Sequence, residues 1–354
     1  MKAIGAILLV LGIYGCSAPP SAKTPAPSSA ATATLPSPAA SHGLSTEGFA
    51  IAPTFDAAQS FSEGLAAVQV ATTPPGVWGF IDTSGTMVIK PQFVFAGDFV
   101  GGLAPAQIGD SATSRWGFID KSGAVIIPAT FDYADDFSDG LAAVLSGDDA
   151  NGKWGFVNTK GAWVIKAKYD LTDRFSEGLA PVRVGDEKTG KWGFVDTTGK
   201  VVMSPRYDSV SAFHEGLAAM RVGDAKTGKW GFVDKKGTVV IAPIYSGVST
   251  FSDGLASVRT GDEKTGKAAF IDKAGKIVLS TTFDFADPFA EGLAAVRVGD
   301  AKTGKWGFID KTGKVIIEPR FDAHDIIAKG FRDGFAAVRL GDYKTGKWGF
   351  IKKP

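Results

Sequence analysis

The chain holds a single cysteine, Cys16, and only three histidines and four methionines in 354 residues. One thiol excludes an intrachain disulfide framework and any metal centre built from cysteines. The histidines, His42, His214 and His324, stand at non-equivalent places, with no Ser, Cys or Asp pattern pointing to any of them as a catalytic base. They read as exposed loop residues. Charge of either sign is not in excess: 38 basic and 37 acidic side chains leave +1, spread without an acidic or basic tail. No global field therefore argues for nucleic acid or for an anionic membrane surface. The N-terminal apolar run, Ala3 to Tyr14, has 12 residues, against about 20 needed for a spanning helix. What is abundant is glycine, at 45, and phenylalanine, at 25, in a chain that is 44% hydrophobic. That suffices for a sizeable core, and it favours short strands joined by tight turns.

The N-terminal run has the length of a signal-peptide core, and it ends in Ile13-Tyr14-Gly15-Cys16. A small residue before a lone cysteine at this place resembles the bacterial lipobox. That resemblance implies cleavage after residue 15 and lipidation of Cys16, with two or more acyl chains giving stable anchoring. Tyr14 is bulkier than the pattern usually carries, and Lys2 alone makes a thin basic start. Ser17 after the cysteine resembles outer-membrane sorting more than inner-membrane retention. Residues 16–45 are rich in Ala, Pro, Ser and Thr and lack aromatics, which predicts a flexible tether rather than a packed unit.

From residue 46 to 354 the chain repeats. Trp-Gly-Phe followed by Ile or Val occurs at Trp78, Trp116, Trp154, Trp192, Trp230, Trp306 and Trp348. The first five are 38 apart; Trp230 and Trp306 are 76 apart, with Ala268 at the midpoint; the last interval is 42. Eight units of about 38 residues follow. Each holds three short apolar segments, such as Lys200–Asp208, Glu215–Val222 and Lys229–Asp234, joined by Gly-bearing hairpin links. These predict an antiparallel meander. The link from the first segment to the second, about ten residues that hold Tyr207 and Phe213, is a candidate short fourth strand.

The recurring KWGFID, DKxG, Pro-x-Phe/Tyr-Asp and GLAAV stretches resemble the bacterial WG β-repeat family. The resemblance implies a repetitive all-β body, often exported or in the envelope, and supplies no catalytic motif. Closure is the open question. The folded part begins with an orphan first segment, Phe49 to Pro53, and ends with an orphan second and third, Gly334 to Ile351. The one can complete the other, as in a β-propeller ring, and that arrangement is favoured here. An open β-solenoid-like stack gives the same period and is the alternative.

Candidate chemistry is sparse. The Gly-Asp-x-Lys-Thr-Gly links, as at 185–190, offer too few oxygens for calcium and no helix for a phosphate loop. They read as turns. No carboxylate pair stands out for glycoside hydrolysis. No metal and no cofactor is expected. The tryptophans read as packing between units rather than a sugar-stacking array. The feature that invites a function is an arginine column: Arg183, Arg221, Arg259, Arg297 and Arg339 share one place in units four to eight, where units one to three carry Gln69, Gln107 and Leu145. Guanidinium groups suit carboxylate and phosphate. The plainer expectation pairs them with the repeat's own acids, such as Asp208 and Asp322. The sequence thus predicts a non-catalytic, lipid-anchored envelope protein that binds a protein or an anionic glycan. The alternatives are a hydrolase with its site at the mouth of a ring, which would gather copy-specific polar residues at one end, and a structural spacer. The long loop Ala323–Arg332 is a further candidate contact.

Overall fold

The computed structural model describes residues 47–70, 76–110, 112–147, 151–261, 266–324 and 330–354. Cys16, the tether, His42 and residues 325–329 of the long loop lie outside them. Every element among the described residues is a β-strand. They form eight sheets, each of four antiparallel strands. Blade one shows the plan: strand a is Ala57–Ala58, b is Leu65–Val70, c is Val77–Asp82 and d is Met87–Phe93. Strand a, which the sequence offered only as a candidate, is two residues long in most blades and six in blades three and seven.

Closure is settled by strand pairing. Blade eight has a, b and c at Ala323–His324, Phe335–Leu340 and Lys347–Lys352, and its strand d is Phe49–Phe55 from the other end of the chain. Phe55 lies opposite Trp348 and Phe49 opposite Ile351. The Gly64 N–H in blade one donates to the Asp333 carboxylate of blade eight at 2.9 Å. The chain is an eight-bladed β-propeller, and the open stack is not what forms.

The core repeats as the sequence does. In each blade the Phe of strand c meets the Phe just before the a–b turn of the next blade. Phe80–Phe99, Phe118–Phe137, Phe156–Phe175, Phe194–Phe213, Phe232–Phe251, Phe270–Phe289, Phe308–Phe331 and Phe350–Phe61 all sit at ring-centroid separations of 4.6–4.9 Å. The last pair joins blade eight to blade one. Tilted pairs at this spacing add to the burial of two large rings.

Glycine after Trp has a steric cause. Strand d carries extra residues between its pairings with c: Trp78 faces Phe93 and Phe80 faces Ile89. The bulge lies over Gly79, where a Cβ would come within 2.5 Å of the Ile89 carbonyl oxygen and 2.7 Å of the Pro91 nitrogen. Blade six has Ala269 instead. There Ala269 pairs with Ser280, and strand d shrinks to Ile277–Ser280. The outermost strands are edges, and proline recurs in them at Pro53, Pro91, Pro205, Pro243 and Pro319, blunting strand addition.

The a–b turns hold the blades in order. Glu63, Asp139, Glu177, Glu215, Asp253, Glu291 and Asp333 adopt φ of 50–55°, each before a glycine that is also positive. Two positive φ values in a two-residue link mark a type I′ hairpin. The strained acid points at the next blade: Glu63 accepts from the N–H groups of Gly101 and Gly102, Glu177 from Gly216, and Asp253 from Gly292. Gly101 stands where an acid would serve blade two.

Candidate functional site

Strand direction places the b–c hairpins and d–a links on one face of the ring and the a–b and c–d turns on the other. The five arginines lie on the first face, each two residues before its hairpin glycine. Each sits in a row of three cross-strand partners, one from each of a, b and c. In blade two the row is Phe95, Gln107, Trp116; in blade three it is Tyr133, Leu145, Trp154. In blade five it is Ser209, Arg221, Trp230, and in blade eight Ala323, Arg339, Trp348.

These rows explain where the column starts. The Trp of one blade packs on the strand-a residue of the next, so Trp78, Phe95, Trp116, Tyr133 and Trp154 form a continuous ladder with centroids 4.6–5.6 Å apart. Past Trp154 the strand-a residue becomes Leu171, Ser209 and Gly247, and arginine enters the middle of the row. Arg183, Arg221, Arg297 and Arg339 stack over Trp192, Trp230, Trp306 and Trp348 at 5.4–6.0 Å. In blades four, five and eight the guanidinium takes the place of the missing ring as a cation over an aromatic face, whereas in blade seven Arg297 adds to a ring that is present, Phe285. Of the seven tryptophans that precede glycine, six are buried and Trp348 is half-buried; the eighth tryptophan, Trp163 on a strand d, is exposed.

The repeat's acids are engaged elsewhere. Asp208 pairs with Lys191 at 2.5 Å and accepts the Gly223 N–H. Asp322 does the same with Lys305 and Gly341. Their charges still favour the protonated forms of Arg221 and Arg339, as the plainer expectation has it, but the direct contacts of both acids go to lysine and to glycine N–H. Arg297 and Arg339 give their Nε–H to the carbonyls of Gly299 and Gly341, whereas the Nε of Arg183, Arg221 and Arg259 are buried without a hydrogen-bond partner. Burial lowers the pKa of Arg221, Arg297 and Arg339 from the usual arginine value, with Arg259's charge adding to the effect at Arg297. A cleft of about 290 Å³ opens between the hairpins of blades four and five, lined by Lys188, Asp208, Arg221 and Asp224 among others. The hairpin aspartates serve the turn. Asp224 accepts from the N–H groups of Lys226 and Thr227 and from the Thr227 hydroxyl, which brings its pKa down to about 2.

A second cluster, on the inner strands near the ring axis, was not read from the sequence. Arg332 of blade eight donates to Asp98 of blade two at 2.6 Å and to the Ser62 hydroxyl of blade one at 2.9 Å. Asp136 of blade three accepts from the Asp98 N–H at 2.9 Å and from Arg174 of blade four, which also reaches Asp135. Five blades, from eight across the closure to four, are thus tied by one polar network. Burial drives the Asp136 carboxyl upward despite Arg174. Among the described residues no group of three or more His, Cys, Asp or Glu could hold a metal ion. His214 is exposed, and the side chain of His324 lies outside the described residues.

The WG containing repeat matches the chain at residues 46–71, 78–110, 116–148, 154–187, 192–224, 230–263, 269–300 and 306–348. The chain belongs to this WG repeat family. Its eight matched segments are offset from the eight blades, because the breaks fall at the b–c hairpins and each segment from the second on runs from strand c of one blade to strand b of the next. No curated protein matches the chain. Solved structures with the same fold include one from a study of two prolyl endopeptidases, at 10% identity and a TM-score of 0.55, covering 83% of this chain and 53% of that one. Prolyl oligopeptidase B from Galerina marginata gives 10%, 0.53, 83% and 53% in the same terms, and oligopeptidase B from Trypanosoma brucei gives 10%, 0.51, 83% and 51%. This WG repeat chain spans about half the length of those proteins, and the likeness is one of fold.

Proposed function

We propose that this WG repeat protein is a non-catalytic binding scaffold of the bacterial envelope. In this reading it is exported, lipidated on Cys16, tethered by residues 16–45 and sorted to the outer membrane where two membranes exist. Its ring face offers blades four to eight to an anionic glycan or an acidic partner protein. Residues 323–332 are a candidate contact; nucleic acid, metal and cofactor have no part.

The observation that carries the proposal is the arginine arc. Five consecutive blades present a half-buried guanidinium at one register, and three of its Nε atoms are buried without a hydrogen-bond partner. A buried donor left unmade is costly, and a carboxylate or phosphate oxygen offsets that cost. Changing Arg221 and Arg297 together to Gln should abolish binding of an acidic glycan in a solid-phase assay. Unaltered affinity would remove the glycan reading.

The axial network supports a second reading, a hydrolase at the ring mouth, because its polar residues are copy-specific and gathered in one place. Asp136→Asn would then remove turnover of envelope glycan or peptide substrates. A parent protein that turns over none of them rules the hydrolase out.

A further inference from the structure

Blade six departs from the repeat at three places that meet around one side chain. Its row is Gly247, Arg259, Ala268, where blade seven has Phe285, Arg297, Trp306. Arg259 thus has no side chain beside it on strand a and only a methyl on strand c. The third departure is Ser246, which stands where Asp208, Asp284 and Asp322 stand in other blades. Ser246 gives its hydroxyl to the Arg259 carbonyl at 3.4 Å and carries no charge. The arginine has lost both the ring it would stack on and the acid that would sit near it.

We propose that Arg259 and Arg297 seat one phosphate-type oxyanion at the seam of blades six and seven, in the place left by the missing tryptophan. This rests on the reading of the arginine face as anion-binding and names where and what it binds. A crevice of about 10 Å³ marks the place, lined by Arg259, Ala268, Asp284 and Phe285 among others. That volume admits about one water-sized atom. It takes an oxygen of an anionic head group, not a sugar or an aromatic ring.

Charge selects the class of head group. Asp284 is committed to Lys267 at 2.5 Å and to the Gly299 N–H at 2.8 Å. Arg297 lies over the Phe285 ring at 5.3 Å, on the seam that Arg259 lines from the other blade. The two guanidiniums repel each other, which is part of why Arg297 holds its proton less firmly than usual. A bound anion relieves that repulsion. A phosphomonoester carries about −1.5 to −2 at neutral pH and three acceptor oxygens. It matches two guanidiniums that flank the Phe285 ring better than a single carboxylate does.

The test uses the full chain, with inorganic phosphate and glycerol phosphate as calorimetric probes. Ala268→Trp and Ser246→Asp restore what the other blades carry, so a melting temperature at or above the parent's shows that the fold is kept. Binding should weaken about tenfold or more in Arg259→Gln and in Ala268→Trp, a loss of about 1.4 kcal/mol per factor of ten. Lys160→Gln, on a c–d turn of the opposite face, should leave phosphate binding within about twofold, a few tenths of a kcal/mol. Phosphate affinity that survives Ala268→Trp overturns the seat, and so does a parent chain that binds no phosphate. If acidic-glycan binding persists in either case, the arginine face stands without the seat. If phosphate behaves as stated while no acidic glycan binds, the seat stands without the glycan reading. Vesicles of phosphatidic acid, against phosphatidylcholine alone, separate the sources. Capture lost on Ala268→Trp assigns a lipid head group, and capture of neither vesicle by a phosphate-binding chain assigns a free phosphate.

Discussion

At the scale of single residues, the repeat sorts side chains by how replaceable they are. The paired phenylalanines are almost fully buried, and Phe213 is 0% exposed between blades four and five. Phe213→Ala should cost about 3–5 kcal/mol. Trp192→Ala should cost less, because blade six already does without that ring at Ala268 and stays in the ladder of blades. Urea midpoints of the two variants test the order, and a larger loss for Trp192 would reverse it. Carboxylates supply a pH dependence of known sign. Burial pushes the Glu177 carboxyl up, but Lys235 and the Gly216 N–H outweigh it and leave its pKa below the usual range. Asp208 behaves alike with Lys191 and Gly223. A lowered folded pKa gives stability that is present above the ordinary carboxylate value, about 4, and lost as pH falls through the folded value. Asp136, raised by burial, works the other way. Stability should therefore fall between pH 7 and about 3.5, and Glu177→Gln should make that fall smaller; an equal or steeper fall in the variant contradicts the assignment. The arginine column was legible because it recurs at one register. The axial residues Asp98, Asp136, Arg174 and Arg332 were not, since a reading that looks for sameness passes over columns that vary from copy to copy. The variable pairs between the aromatics, Gln59-Ser60, Gly97-Asp98, Asp135-Asp136 and Asp173-Arg174, were the signal available.

At the scale of strands, three of the four in each blade followed from the alternation of apolar residues and the Gly-bearing links. Strand a was legible only as a possibility, because two residues carry no period. Its existence follows from the neighbours: the inner edge of strand b needs a partner, and the link from d supplies it, as when the Asp208 N–H donates to the Arg221 carbonyl at 3.2 Å. The bulge in strand d was invisible in the sequence, although the invariant Gly after Trp hinted at a close approach. Blade six shows what the glycine holds in place. Gly193→Ala should shift strand Val201–Tyr207 toward the shortened form seen at Ile277–Ser280 and destabilise the ring by about 1–3 kcal/mol. Amide exchange of residues 201–207 should quicken in that variant, and unchanged protection there would mean that a Cβ is tolerated under the bulge.

At the scale of the whole molecule, the two ends of the folded chain share one sheet. Sequence period alone allowed an open stack equally well; the orphan segments at either end decided for a ring, and the strand register from Phe49 to Phe55 realises it. Closure leaves no blade face exposed at the ends of the array, so no capping unit is needed, and it sets the arginine rows on an arc rather than along a line. It also fixes which blades are neighbours, and that is measurable. Spin labels at Ser84, Lys160, Lys236 and Thr312, on the c–d turns of blades one, three, five and seven in a Cys16→Ser background, report it directly. A closed ring of eight predicts that the 84–312 distance equals the 84–160 distance and that 84–236 is the longest of the three. An 84–312 distance exceeding 84–236 would contradict the ring.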